Sequence, residues 1–555
     1  MPGGSAARSP ARGFAGRSVT DARRAARSLA LLAALAFGTG TAAAQVPGAA
    51  SGGAPDPAAR PAPDDVTIGA GAAEGGLGGA AARPAPSPFA AEPPVTGGIV
   101  TGTVSIAPLG PPGTGAGVLP STVTGLPDDL WAESDAGVLA ASIDGLPSDL
   151  PAAARALERV MMLAEADPPG AGDPEALLAA RLAQLVRRGH LDAAAALAAR
   201  AGPRTPALRR AAFDIALLLG DETEACRLAD PDADAPEDYA RRVFCLVRGG
   251  DFAAAATVMD NARALRRLDP EDEHLLELFL YPELLEDMAP PAPTLEPTPL
   301  QFRLHEALGE PIGTRDLPVA FARADLRPIN GRKAQMEAAE RLARVGAIEG
   351  TRLLQLYTDR LPSASGGVWD RAAAMRDVDA ALRAANPKAL ALALPRAVAA
   401  LEDAELLTAI ADAIYPSVAA LRPEGVEAET AALRLGLLSA DYASAAAGWP
   451  EAEAPHLAMA RAVALGAAPP AGGDALDEAV AAAFAEGAPV PDRLARPARE
   501  GRLGEALLLA LDDLSAGGAG DRMRLAGALA FLRSAGFEDI ARRVAIEILT
   551  DRAAA

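Results

Sequence analysis

Gly250-Asp251-Phe252-Ala253-Ala254-Ala255 runs small residue, polar residue, apolar residue, then a spaced Ala. The same order returns at Gly189-His190-Leu191-Asp192-Ala193-Ala194 and at Gly501-Arg502-Leu503-Gly504-Glu505-Ala506. Looser copies begin at Gly220 and Ala440, while Gly346-Ala347-Ile348 and Ala535-Gly536-Phe537 keep part of the pattern. The starts at 189, 220, 250, 346, 440, 501 and 535 are separated by 31, 30, 96, 94, 61 and 34 residues, near one, two or three units of about 31. Such a period is the mark of stacked helix pairs, in which no hairpin buries a core alone and neighbours share one. Gly suits a helix C-terminus, where the chain turns left-handed. Asp251 is placed to cap the following helix, with Phe252 packing inward.

The surrounding sequence agrees with this reading. Leu503, Ala506, Leu507, Ala510, Leu511 and Leu514 follow the spacing of one helix face. Helices are expected over 152–166, 175–189, 192–201, 206–219, 223–229, 238–248, 253–265 and 271–285, with a last one from 538 to about 552. The expected fold is all-α, an α-solenoid of stacked helical hairpins following a disordered N-terminal segment. Gly125-Leu126-Pro127 and Gly145-Leu146-Pro147 form a second repeat, 20 residues apart, read as helix starts because Pro favours the first turn. A single short helix is expected over 131–143, with Trp131 anchoring it against the first hairpin. The Pro-rich stretch 289–299 is expected to divide an N-terminal helical-repeat domain, 121–288, from a C-terminal one, 300–555.

The N-terminus reads as a cleavable export signal over 1–44. Arg8, Arg12, Arg17, Arg23, Arg24 and Arg27 make a basic region, 29–37 is apolar, and Ala42-Ala43-Ala44 offers small residues for cleavage. Nine apolar residues are too few to span a bilayer, so no transmembrane segment is expected in the mature chain. Residues 45–120 are dominated by Ala, Gly and Pro and bury too little apolar surface to offset their ordering entropy, which predicts a disordered linker. Within it, 98–106 alternates with the period of a strand. The full chain has a formal charge of −21, and 45–555 alone stands at −26. That surface repels phosphate backbones and anionic lipid, so nucleic acid is not an expected partner. Cys226 and Cys245 are the only cysteines. In an exported chain they are expected to form one disulfide across the loop between two antiparallel helices.

The repeat pattern resembles tetratricopeptide-type repeats across 189–537, without most Trp, Tyr and Pro positions of that family's consensus. The resemblance implies a curved superhelix that binds extended peptides in its groove. The whole chain also resembles exported, Ala-rich proteins of alphaproteobacteria of no established activity, through 119–127 and Ser365-Gly366-Gly367-Val368-Trp369-Asp370-Arg371. Some of these carry a name referring to an antifreeze glycopeptide polyprotein. That name implies arrays of Ala-Ala-Thr, and here Ala255-Ala256-Thr257 stands alone within an expected helix.

Little in the sequence speaks of catalysis. His190, His274, His305 and His456 have no second His at helical spacing, so no two-His metal site is written locally. Glu271, Asp272 and Glu273 suit a helix N-terminus. Glu133 in Trp131-Ala132-Glu133-Ser134 resembles the acid of lytic transglycosylases, but the further motifs of that family are missing. The loop 361–371 is the expected binding surface. Ser365, Gly366, Gly367, Trp369, Asp370 and Arg371 place free N–H groups and a cation at a helix start, where an anion or a C-terminal carboxylate would be held. No catalytic, cofactor or metal residue is expected. The sequence favours a non-enzymatic periplasmic scaffold for a protein or peptide partner, over a cell-wall-acting envelope enzyme or its accessory, or a structural or stress-related secreted protein.

Overall fold

The computed structural model describes residues 115–552, apart from 230–234, 451–454, 469, 471, 472 and 519. The expected signal, the linker as far as 114 and the alternating stretch 98–106 lie outside the described residues. Residues 116–119 belong to the fold. The Val118 and Leu119 amides both donate to the Leu163 carbonyl, at 2.8 and 3.0 Å.

The described residues are all-α, with isolated bridges in place of strands. The first helices are α1 (Ser121–Thr124), α2 (Ala136–Asp144), α3 (Ala152–Leu163), α4 (Pro174–Arg187), α5 (Leu191–Ala201) and α6 (Pro206–Leu219). There follow α7 (Glu222–Leu228), α8 (Pro236–Arg248), α9 (Phe252–Ala264), α10 (Pro270–Leu280), a 3-10 turn at Pro282–Glu286, and α11 (Pro299–Ala307). Next come α12 (Ala322–Asp325), α13 (Arg332–Arg344), α14 (Gly350–Thr358), α15 (Val368–Arg383), α16 (Pro387–Glu402), α17 (Leu407–Leu421) and α18 (Val426–Leu437). The chain ends with α19 (Tyr442–Gly448), α20 (Pro455–Leu465), α21 (Ala475–Phe484), α22 (Asp492–Arg499), α23 (Leu503–Gly518), α24 (Arg522–Ser534) and α25 (Glu538–Arg552).

The opening pattern is a helix-ending device with a definite geometry. Gly189, Gly220, Gly250, Gly346, Gly501 and Gly536 all have φ between 73° and 91°. At each, the Gly N–H donates three residues back and the next N–H five residues back, as Gly250 does to Val247 and Asp251 to Leu246. This double bond satisfies carbonyls that a helix end leaves without partners. At 535 the left-handed residue is Gly536, so the register moves by one. At 440 the turn is built otherwise. The Ala440 amide donates to Asp412 at 2.7 Å, and Ser439 closes onto the Gly436 carbonyl. The same double bond also ends helices at Gly309, Gly466 and Gly520 and, with non-glycine residues at positive φ, at Arg266, Ala385 and Glu405. The pattern therefore marks helix exits generally rather than a strict unit of about 31 residues.

Gly125 and Gly145 are likewise C-caps, of α1 and α2, and Pro127 and Pro147 start no helix. Trp131 lies in a turn before α2, not within a helix. Its ring packs against Gly504 of α23, where a Cβ would stand 2.5 Å from two ring carbons. The Gly504 amide, one of the donors a helix start leaves over, bonds the Leu130 carbonyl at 3.2 Å.

That contact belongs to a larger closure. Helix packing passes from α4 through α5 and α6 to α12–α18, then through α20 to α25, α24 and α23, and α23 and α25 pack back on α2 and α3. The Ala152 amide donates to Glu547 at 3.1 Å, and Ser515 Oγ donates to Asp149 at 2.6 Å, across the same seam. A single apolar cluster runs from Leu126 to Leu549. The described residues on both sides of 289–299 belong to one compact unit. The physical reason is that α11 packs on α6 and α10, with Arg303 Nε bound to the Leu217 carbonyl at 2.7 Å.

Candidate functional site

The loop expected to bind an anion is engaged with its own protein. Gly366 and Gly367 are both at positive φ, as a sharp turn into α15 requires. The Gly366 amide, which would face a ligand, donates to Asp370 Oδ1 at 2.9 Å. Arg371 points inward to the buried Glu340 of α13, with bonds of 2.7 and 2.6 Å. Tyr357 donates to the same carboxylate at 2.7 Å. Burial, then Glu340, raise the Tyr357 hydroxyl well above its ordinary range. Trp369 packs half-buried against the main core. Ser365 stays exposed. The guanidinium that the sequence places on the loop surface instead neutralises a buried acid.

A second polar centre surrounds α3, ten of whose twelve residues are buried. Glu547 of α25 bonds its first amide, and Arg181 of α4 donates to the Met162 and Ala164 carbonyls at its end, both at 2.8 Å. An acid at the N-terminus and a base at the C-terminus both complement the helix dipole. Burial lowers Arg181 to about 10 and raises Glu547 well above the carboxylate range. Along α3, Glu158 pairs with Arg188 at 2.9 Å. Arg155 is lowered by burial, with Glu547, Glu158 and Glu405 opposing. Arg159 is lowered by burial and opposed by Glu349. Glu547 lies on α25, Glu405 just before α17 and Glu349 just before α14, so the arginines of α3 feel acids from three separate parts of the chain. His190, at the start of α5, is buried here, and desolvation with Arg159, Arg188 and Arg155 pushes it down to about 3.

The other sequence candidates are structural or exposed. Glu133 is exposed beside Gly501 at the seam, not set in a cleft. Glu271 and Asp272 lie in the first turn of α10, where Asp269 supplies the cap. His305 is buried in α11 and is lowered by that burial. Among the described residues, no group of three or more His, Cys, Asp or Glu is placed to hold a metal. No described helix is long and apolar enough to cross a membrane.

Cys226 of α7 and Cys245 of α8 are joined by a disulfide with Cα atoms 5.3 Å apart. Cys245 lies late in α8. The bridge braces a lobe with its own apolar cluster, including Phe213, Phe244, Leu275 and Leu304, in which Phe244 stacks on Phe279 at 5.5 Å. On this lobe the sequence reading of Phe252 fails. Asp251 does cap α9, accepting from Ala254 at 3.1 Å. Phe252, however, is 56% exposed although it shares a face with the buried Ala255, Met259 and Ala262, because it is the first residue of α9 and its side chain leans back past the helix start. Leu265, Tyr281, Met288 and Leu295 are exposed nearby in sequence. Thus 252–295 holds five of the thirteen exposed large apolar side chains among the described residues. The spacing of Phe252 from Ala255, Met259 and Ala262, three, seven and ten residues, is that of one helix face, so helical phase alone does not signal its exposure. The chain matches no family model, no curated protein and no solved structure.

Proposed function

We propose that this protein is a non-enzymatic, exported helical scaffold that binds a protein or peptide partner in the periplasm, and that recognition lies on the outer face of the α9–α10 hairpin. The observation that carries the reading is that five of the thirteen exposed large apolar side chains among the described residues fall within 252–295, on a disulfide-braced lobe. Large exposed apolar side chains gathered in one region mark interaction sites in soluble proteins. The burial of α3 among its neighbours, ten of its twelve residues being covered, supports recognition on the outer surface over an interior groove. The Arg-rich N-terminus supports export, and the acidic charge supports a soluble, peptide-binding role over one on nucleic acid.

The test is crosslinking recovery from envelope extract with the mature protein and with a Phe252→Ser, Tyr281→Ser variant. Both substituted residues are exposed, so the variant should fold. The reading expects a reproducible partner that the variant loses. Recovery of no partner, or of the same partners by both proteins, overturns it.

A further inference from the structure

The α9–α10 hairpin carries a charge as one-sided as its apolar exposure. Residues 250–288 contain ten Asp and Glu against three Arg, a net of −7. The helices are joined by the short turn 265–269, so they run antiparallel and the end of α10 returns to the start of α9. Phe252, Tyr281 and Met288 therefore belong to one end of the hairpin. Around them in sequence stand Asp251, Glu283, Glu286 and Asp287, the last three at exposed positions of the 3-10 turn and its exit. Arg263 of α9 is already paired with Glu273 at 2.5 Å and Glu277 at 3.2 Å, both of α10, so it neutralises little of the charge at the other end of the hairpin. α9 packs mainly on α8, and α10 also rests on α8, while α9 and α10 touch each other less.

We infer that the occupant of this end of the hairpin is a basic amphipathic helix of a partner protein, seating its apolar stripe on Phe252, Tyr281 and Met288 and its Lys or Arg residues against Asp251, Glu283, Glu286 and Asp287. Helix-on-helix docking is the recognition mode an all-α surface offers, with apolar anchors repeating every three or four residues. Charge complementarity selects the sign of the polar face. An anionic membrane surface is disfavoured by the same charge. This inference rests on the scaffold reading and names the partner chemistry of that surface.

The experiment measures binding of the mature, disulfide-intact protein to fluorescent amphipathic peptides of about five helical turns. One has Leu on its apolar face and Lys on its polar face, and the other replaces Lys with Glu. The Leu/Lys peptide should bind, and binding should weaken as salt screens the contact. Phe252→Ser with Tyr281→Ser should weaken it by about tenfold or more, as loss of aromatic anchors does. Glu283→Gln, Glu286→Gln and Asp287→Asn together should weaken it similarly and flatten the salt dependence. Equal or tighter binding of the Leu/Glu peptide overturns the inference. So does Leu/Lys binding that ignores the Phe252 and Tyr281 substitutions, since that is unspecific attraction to an acidic protein. Binding to zwitterionic vesicles with no peptide binding also overturns it. If extract recovery depends on Phe252 and Tyr281 while the partner has no basic helix, the scaffold reading stands and this inference falls.

Discussion

Replacing Gly504 with Ala probes the seam that joins the first and last parts of the chain. In an open helix, Gly→Ala stabilises by up to about 1 kcal/mol. At Gly504 the added Cβ would stand 2.5 Å from two Trp131 ring carbons and 2.7 Å from the Leu130 carbonyl oxygen. Neither a buried indole nor a backbone carbonyl can move without displacing its neighbours, and overpacking of this kind costs about 1–3 kcal/mol. The helix gain is small in a first turn, so a net loss of about 1–2 kcal/mol is expected. Gly448→Ala serves as the control, because a Cβ there would meet only the far end of Arg422 at 4.0 Å. Urea unfolding followed by far-UV circular dichroism should show Gly504→Ala destabilised and Gly448→Ala unchanged or slightly stabilised. A double-mutant cycle with Trp131→Ala should reveal coupling, the Gly504→Ala cost falling by more than half once the ring is gone. Stabilisation by Gly504→Ala, or a cost that ignores Trp131, refutes the packed seam.

Arg371→Ala should destabilise by about 3 kcal/mol, because it removes the closer of the two arginines on the buried Glu340 and leaves Arg344 at 3.5 Å, whereas a surface-loop arginine would cost almost nothing; thermal unfolding distinguishes the two. Burial holds the Asp412 carboxyl up to about 7 in the fold, against about 3.9 in the unfolded chain. The folded state therefore binds more protons between those values, so this group lowers stability as pH rises from about 4 to about 7, and Asp412→Asn should flatten that slope in denaturation curves. Reducing the Cys226–Cys245 bridge, which spans a separation of 19 residues, should cost about 3 kcal/mol. Hydrogen exchange should show the loss concentrated in α6–α11, and uniform loss across the chain would contradict the bracing role.

Helix identity was legible because capping chemistry is local. The start of α6 at Pro206 and of α25 at Glu538 follow from Pro at a first turn and from the left-handed Gly536. The exits at Arg266, Ala385 and Glu405 were not legible, since a non-glycine residue at positive φ leaves no compositional trace. Trp131 was recognised as an anchor, but its partner lies hundreds of residues away at Gly504, beyond any periodic reading. Arg371 was misplaced for the same reason: whether a guanidinium faces water or a buried acid depends on Glu340, which comes from another helix. Both the repeat and the helical phase point Phe252 inward, and only its place at the very start of α9 leaves it exposed. The Cys pair was legible because only one pairing exists.

The closed path of helix contacts is the claim on which outward recognition depends, and a distance measures it directly. Spin labels on cysteines introduced at Val138 of α2 and Asp512 of α23, with the native disulfide intact, report the separation of the two ends by pulsed electron resonance. Packed helices lie about 8–10 Å apart, and label arms and axial offset bring the expected distance to about 20–35 Å. An open stack of about a dozen hairpins, each adding about 10 Å, would separate them by about 100 Å. A narrow distribution within the shorter range is the predicted result. A distance beyond about 60 Å would mean that the ends do not meet, that α3 is not enclosed, and that the groove is open after all.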